Sequence, residues 1–191
     1  MGELILMRHG ETVWAREGRH TGRTDVPLTP RGEEQARSLT SLLADHEIAL
    51  TLVSPAMRAR RTAELAGLTG TETDERLWEW DYGAYEGRTT AQIHEERPDW
   101  YLWRDGVVGG ETVEQAGARV DGVLDRARPH LAEGDVALVA HGHVLRVLTA
   151  RWLGLPPSGG RLFRLDTGTL STLGTEHDQP VIRSWNVPAH T

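Results

Sequence analysis

Leu4-Ile5-Leu6-Met7 runs directly into Arg8-His9-Gly10-Glu11-Thr12 near the start of the chain. Four consecutive apolar residues that end in polar ones are typical of a buried strand. A second run, Val136 to Ala140, has the same character and ends in His141-Gly142. Ligands of open α/β sheets bind at the carboxyl ends of strands. The two endings therefore predict a polar site at one edge of a sheet.

Strands and helices alternate along the rest of the sequence. Ala49 to Val53 indicates another buried strand, and Leu162 to Trp185 alternates like strands at an antiparallel edge. Helices are predicted from Thr29-Pro30 through Leu43, from Ser54-Pro55 through Leu65, over 88 to 104, from Glu111 to Leu131 and from Val144 to Leu153. This order predicts an α/β fold, a three-layer sandwich whose mostly parallel central sheet is flanked by helices.

Length and composition fit one domain. Of 191 residues, 38% are hydrophobic and 26% charged, which is enough to build a core. We expect a single domain over 1–191 with a small cap insertion at about 82–110, where glycine and tryptophan are concentrated. No apolar run approaches the roughly 18 residues of a membrane span, and the first residues lack a signal peptide's basic start. We therefore expect a cytoplasmic protein.

Two residue types are missing. The sequence has no cysteine, which excludes disulfides, thiolate metal sites and cysteine nucleophiles. All 21 basic residues are arginine, which excludes a P-loop lysine and Schiff-base catalysis. The rarity of lysine and asparagine, whose codons are AT-rich, indicates a GC-rich bacterial genome. A net charge of −7 disfavours nucleic acid as a partner, so an anion site would be a local arginine cluster.

Histidine, arginine and carboxylate side chains are predicted to meet at the strand ends. Arg8 and His9 follow the first strand, and His141 follows the last. Arg58 stands in the first turn of the helix after the second strand. A neutral His9 imidazole is a nucleophile for phosphorus. Arg8, Arg58 and His141 would surround the equatorial oxygens of a transferring phosphoryl group.

Glu79 is the expected proton donor to the leaving group. Apolar neighbours and a bound phosphate favour the protonated form of a carboxyl group, and tryptophans flank Glu79. The same group would then act as base on the water that releases the phosphate. Asp81 and Glu86 remain alternatives. An acidic working pH is expected, because the acid must be protonated while His9 is neutral.

Glycines and cap arginines complete the candidate set. Gly10 and Gly142 allow a close approach of the backbone to a ligand, and their amides can donate hydrogen bonds. Arg88 and Arg104 in the cap are candidates for binding a second anionic group of a substrate.

These stretches resemble the motifs of the histidine phosphatase superfamily, in its phosphoglycerate-mutase-like branch, over essentially the whole chain. The family signature RHGET stands at Arg8 to Thr12. The other matching stretches follow in order: Gly22 to Thr29 with Gly32 and Gln35-Ala36, Ser54-Pro55 to Arg58 with Thr62, Leu77-x-Glu79 with Gly83 and Glu86-Gly87, Gly109 to Thr112, and His141-Gly142. The residues of these motifs are most similar to those of small acid-phosphatase-like and sugar-bisphosphatase-like members of the family.

The resemblance implies a role for each matching residue. His9 is implied as the phosphorylated nucleophile and Glu79 as the proton donor. The implied phosphate pocket comprises Arg8, Arg58 and His141, with Thr21, Gly22 and Gly142 at its rim. Many relatives have Asn after the tryptophan of the first motif, whereas Ala15 follows Trp14 here. Another donor, such as Thr21 or a backbone amide, must then serve.

The expected function is that of a metal-independent phosphomonoesterase without a cofactor. It would hydrolyse small phosphate esters, sugar phosphates above all, through a phosphohistidine intermediate. The expected partner is this small molecule, with no nucleic acid and no membrane, and a homodimer is left open. A metal pair at His141 and His143 is disfavoured, because cysteine and a nearby acidic motif are absent.

Two alternatives remain. A phosphoglycerate mutase would use the same site and return the phosphoryl group to the substrate. The short cap with scattered arginines favours hydrolysis, since it gives water easier access. A catalytically silent phosphate-binding module is disfavoured, because binding alone needs no proton donor.

Overall fold

A six-stranded sheet forms the centre of the computed structural model, which describes residues 2–189. Its strands are β1 Leu4–Arg8, β2 Ile48–Val53, β3 Thr71–Thr73, β4 Asp135–Ala140, β5 Thr169–Glu176 and β6 Gln179–Pro188. Their order across the sheet is β3-β2-β4-β1-β5-β6. The first four run parallel, and β5 and β6 pair antiparallel at one edge. The predicted α/β class with a mostly parallel sheet is confirmed.

Helices connect the strands and cover the sheet. The α-helices are α1 Val13–Arg16, α2 Pro30–Ser38, α3 Thr40–Leu43, α4 Met57–Leu65, α5 Thr90–Glu96, α6 Leu102–Asp105, α7 Val113–Ala127 and α8 Gly142–Trp152. Short 3-10 helices lie at Glu75–Leu77, Gly83–Tyr85, Arg128–Ala132 and Pro157–Leu162. Among residues 2–189, no helix has both the length and the apolar character that crossing a bilayer requires.

The alternation of side chains along β1 produces three layers. Successive residues of a strand point to opposite faces of the sheet. Leu4 and Leu6 belong to a buried cluster that includes the apolar faces of α7 and α8. Ile5 and Met7 belong to a second cluster, with residues of α3 and α4. The sheet is therefore buried on both faces, as a parallel sheet requires.

Proline shortens two predicted helices. The single helix expected over 88–104 is wrong, because the structure has α5 and α6 with a break between them. Pro98 has no N–H and disfavours helical geometry at the residue before it, and Arg97 has φ −136° and ψ 80°. Similarly, α7 ends at Ala127, and the chain continues past Pro129 as a 3-10 helix.

Two details of the strands also differ from the sequence-based expectation. The short strand β3 was not predicted, because all three of its residues are exposed and none is apolar. At the other edge, the antiparallel pair is confirmed but begins at Thr169, later than expected. The segment expected as a cap, 82–110, buries Tyr85, Trp100 and Trp103 in the same cluster as α7 and α8.

Gly32 offers a test of how tightly the loop after β1 packs on α2. A Cβ added there would lie 2.1 Å from Glu11 O and 2.7 Å from Glu11 N, both backbone atoms. We expect Gly32→Ala to lower the free energy of unfolding by about 1–3 kcal/mol, although alanine is the better helix former. Chemical denaturation would measure the change. Arg31→Ala, exposed in the same helix, is the control, and equal stability of the two variants would contradict the packing described.

Candidate active site

The carboxyl ends of β1 and β4 lie side by side. Arg8 pairs with Ala140 in the parallel ladder, and His9 N donates to Ala140 O at 3.0 Å. The next residue on each chain segment is a histidine, and the ring centroids of His9 and His141 are 5.1 Å apart. The structure thus brings the two predicted motifs into direct contact.

His9 is a buried, neutral imidazole with one nitrogen unprotonated. Its Nδ1 lies 2.7 Å from Gly10 O, and because a carbonyl can only accept, Nδ1 carries the proton. Burial lowers the pKa of His9 well below its usual value, and the nearby charges of Arg58 and Arg8 add to this effect. Nε2 therefore keeps its lone pair, which is the requirement for a nitrogen nucleophile.

Arg8 has an unused donor inside the protein. Its Nη1 donates to Leu165 O, whereas its Nε is buried without a hydrogen-bond partner in the described residues. Gly142 lies against this guanidinium, because a Cβ there would be 3.2 Å from Arg8 Cζ. Burial lowers the pKa of Arg8, and nearby acidic groups oppose this shift. A buried guanidinium with so few partners in the protein would attract an anion that binds next to it.

Arg58 is fully buried and organises the residues behind the two histidines. Its Nη1 and Nη2 donate to three carbonyls of the loop 21–24 at 2.9–3.2 Å. Its Nε donates to His141 Nδ1 at 3.2 Å, so the ring proton of His141 is on Nε2 and is donated to Ser54 Oγ at 2.7 Å. Burial, reinforced by Arg58, lowers the pKa of His141 well below its usual value. His141 is therefore neutral.

Glu79 is bound by the start of α8. Its Oε1 accepts from Trp80 N at 2.9 Å and from Val144 N at 2.8 Å. Its Oε2 accepts only from His143 N, at 3.0 Å. The carboxyl group is buried and held by backbone groups alone, so its position follows from the path of the chain. Oε2 is the less occupied oxygen and is the one with room for a proton.

A bidentate ion pair holds the segment that carries Glu79. Arg119 Nε and Nη2 donate to the two carboxylate oxygens of Glu111, both at 2.7 Å. Arg119 Nη1 donates to Trp78 O at 2.7 Å. On the far side of Glu79, Trp80 Nε1 donates to Glu111 O, also at 2.7 Å. Because Arg119 lies on α7, this pair ties the segment on both sides of Glu79 to that helix.

One cavity of about 190 Å³ lies at these strand ends. The predicted site residues that border it are Arg8, His9, Thr21, Glu79 and Gly142. Three others, Gly22, Arg58 and His141, do not border it and instead support the residues that do. A neutral nucleophile, a cation and a carboxyl group thus border one small space, an arrangement suited to transfer of an anionic group.

A family model described as "Histidine phosphatase superfamily (branch 1)" matches residues 4–188. The chain belongs to this superfamily. A solved structure of an open reading frame from Mycobacterium tuberculosis superposes with a TM-score of 0.95 at 41% identity, covering 99% of each chain. The predicted family, the fold class and the assignment as a histidine-type phosphatase are confirmed.

Curated relatives of this histidine phosphatase carry several names. An acid phosphatase of Mycobacterium tuberculosis is 44% identical over 91% of this chain and 87% of the relative. A sedoheptulose 1,7-bisphosphatase of Saccharomyces cerevisiae is 38% identical over 79% of this chain and 67% of the relative. A Salmonella paratyphi A protein named "Probable phosphoglycerate mutase GpmB" is 33% identical over 98% of this chain and 91% of the relative.

Neither alternative proton donor borders the cavity of this histidine phosphatase. Asp81 Oδ1 accepts from a backbone N–H two residues further along the chain. Both carboxylate oxygens of Glu86 lie 3.0 Å from Gly22 N, so Glu86 holds the loop whose carbonyls bind the buried arginine. The geometry favours Glu79 over both.

Sequence reasoning did not assign to the site four further residues that line the cavity, His20, Tyr82, His143 and Arg146. Tyr82 OH and His143 Nδ1 are 2.5 Å apart. Burial lowers the pKa of His20 to about 4, and it lowers the pKa of His143 well below its usual value, so both rings are neutral. His143 bonds to the tyrosine, and within residues 2–189 no group of three or more His, Cys, Asp or Glu is placed to hold a metal.

The cap arginines expected at the site are elsewhere. Arg104 lies outside the cavity, and its guanidinium is bound to Asp105, with Nη2 at 2.8 Å from Oδ2. Arg88 is likewise paired with Glu96, at 2.8 Å. The structure does not place Arg104 at the cavity, so its expected contact with the substrate stays a prediction. Thr21 borders the cavity as expected, and its hydroxyl donates to a backbone carbonyl.

Proposed function

We propose that this histidine phosphatase hydrolyses small phosphate monoesters through a phosphohistidine on His9, without a metal ion. The observation that carries the proposal is the state of His9, which is buried and neutral with Nε2 unprotonated and borders the same cavity as the Arg8 cation. An imidazole in this state is ready to attack phosphorus, and an adjacent cation with a free donor stabilises the equatorial oxygens of the transition state.

In the first step, the lone pair of His9 Nε2 attacks the phosphorus. The P–N bond forms as the bond from phosphorus to the ester oxygen breaks, and Glu79 gives its proton to that oxygen. The products are a neutral alcohol and a phosphohistidine. In the second step, water attacks the phosphorus, Glu79 takes a proton from it, and the P–N bond breaks. Inorganic phosphate leaves, and both side chains return to their starting states.

Sugar phosphates are the proposed substrates. The cavity, at about 190 Å³, fits a small molecule better than a macromolecular phosphoester. Its lining offers the hydrogen-bonding groups of Tyr82, His143 and His20, which suit the hydroxyl groups of a sugar. The names of two relatives, an acid phosphatase and a sugar bisphosphatase, support the same class.

A phosphoglycerate mutase is the second candidate, supported by the names of other relatives. A mutase must retain its substrate while the phosphoryl group returns to another oxygen. No arginine of the cap, Arg88, Arg97 or Arg104, borders the cavity, so the cap supplies no cation that would retain the substrate during such a transfer. Hydrolysis is therefore favoured. Faster formation of 2-phosphoglycerate than of free phosphate from 3-phosphoglycerate would reverse this preference.

The role of His9 is tested by phosphate release from p-nitrophenyl phosphate in EDTA. We expect the wild type to be active and His9→Ala to lose at least about 10³-fold in kcat, because the covalent route is removed. His130→Ala, which changes a histidine outside the cavity, is the matched control. Equal activity of wild type and His9→Ala would refute the proposed nucleophile.

The role of Glu79 is tested by varying the leaving group. An alkyl phosphate needs a proton on its leaving oxygen, whereas p-nitrophenolate leaves without one. We expect Glu79→Gln to reduce kcat/KM by about 10²–10⁴-fold for glycerol 3-phosphate and far less for p-nitrophenyl phosphate. Asp81→Asn, a neighbouring carboxyl outside the cavity, should reduce both by the same small factor. A uniform loss in Glu79→Gln would contradict its role as acid.

The pH dependence of kcat/KM tests the protonation state of His9. The pKa of His9 in the folded protein lies well below the usual histidine value. Above that lowered pKa, His9 is neutral and can act as the nucleophile. Activity should therefore persist as the pH falls from 7 through about 6.5, the ordinary histidine value, and be lost only at lower pH. A pH–rate profile with an acid limb centred near about 6.5 would show that His9 titrates normally.

A further inference from the structure

Arg146 brings a second cation to the catalytic cavity. It lies on α8, four residues after Gly142, which itself packs against Arg8. Residues four apart occupy the same face of a helix and are separated by a rise of about 6 Å. Arg8 and Arg146 border the same cavity, so the cavity has one arginine at the strand ends and another one turn along α8.

The Arg146 guanidinium is held by two carbonyl groups and an aromatic ring, none of which carries a negative charge. Nε donates to Gly160 O at 3.1 Å and Nη2 to Arg161 O at 3.2 Å. The guanidinium carbon lies 4.8 Å from the ring centroid of Trp103. Nη1 makes no hydrogen bond within the part of the chain that the structure describes, and no carboxylate oxygen of that part lies within 4.0 Å of the group.

Three arginines border the cavity, and only Arg19 among them is paired with a carboxylate of the described residues, since its Nε is 2.7 Å from Glu17 Oε2. The carboxyl group of Glu79 borders the same cavity and accepts hydrogen bonds from backbone N–H groups, not from Arg146. Burial lowers the pKa of Arg146, and the charge of Glu79 opposes this shift. Arg146 thus reaches the cavity with no ion-pair partner that an anionic group of a ligand would have to displace.

We propose that Arg146 binds a second anionic group of the substrate, either a phosphate or a carboxylate. The preferred substrates are then phosphate monoesters that carry another anion several bonds from the scissile phosphate, with hydroxyl groups between the two. The rise of about 6 Å along α8 sets the scale of that separation. This inference extends the proposed phosphatase function to a substrate class, and it replaces the cap arginines as the source of the second anion site.

The kinetic test uses matched substrate pairs. Fructose 1,6-bisphosphate is compared with fructose 6-phosphate, and 3-phosphoglycerate with glycerol 3-phosphate, which separates a phosphate from a carboxylate preference. We expect the wild type to favour the member with the second anion by about 10–100-fold in kcat/KM, the range of a charge-assisted hydrogen bond. Arg146→Met should reduce that ratio to near one, mainly through KM, and Arg146→Lys should restore part of it.

Arg104→Met is the matched control, because it removes a cap arginine that lies outside the cavity. It should leave the substrate ratios unchanged. Thermal unfolding of each variant shows whether Arg146→Met is folded, and Arg146→Lys keeps the test valid if it is not. An unchanged ratio in Arg146→Met, or an equal loss for both members of each pair, would overturn the subsite.

A binding measurement separates this inference from the proposed reaction. In a His9→Ala background, calorimetry compares fructose 1,6-bisphosphate with fructose 6-phosphate at fixed salt, with and without Arg146→Met. If the bisphosphate binds at least tenfold tighter and Arg146→Met removes this preference, the subsite stands even if the wild type releases no phosphate. If phosphate is released but neither binding nor turnover depends on Arg146, the phosphatase stands and the subsite is refuted.

Discussion

The parallel pairing of β1 with β4 is the constraint on which the site depends. It sets Arg8 opposite Ala140, so the residues that follow, His9 and His141, must emerge together. Because α8 begins directly after His141, its first free N–H groups lie at the same edge and bind Glu79. The register of one strand pair therefore positions His9, His141 and the carboxyl group of Glu79.

Arginine side chains in this protein hold backbone segments in place by hydrogen bonds, in addition to supplying positive charge. Arg58 is fully buried and binds carbonyls and a ring nitrogen, and Arg119 grips a carboxylate while also holding a carbonyl beside Glu79. Both uses depend on a planar group with several donors in fixed directions. A lysine ammonium could replace neither set of contacts. The absence of lysine from the chain is thus consistent with how its basic residues are used.

Much of the fold and part of the site could be predicted from the sequence, for identifiable reasons. Buried strands such as Val136 to Ala140 are continuous apolar runs, and the polar motifs follow them directly, so His9 and His141 could be placed together. The failures have local causes. Pro98 splits a helix, and Arg104 lies outside the cavity. Arg146 was missed although the sequence contains a signal for it: a spacing of four residues from Gly142 puts both residues on one face of the helix. The absence of a carboxylate partner for Arg146 depends on the tertiary structure and could not be inferred from the sequence.

The unpaired Nε of Arg8 has a consequence for the lifetime of the folded protein. A buried donor that no group of the described chain accepts lowers the free energy of unfolding, whereas a ligand that binds the folded chain but not the unfolded one raises it. Occupancy of the site is therefore linked to resistance against heat and proteolysis.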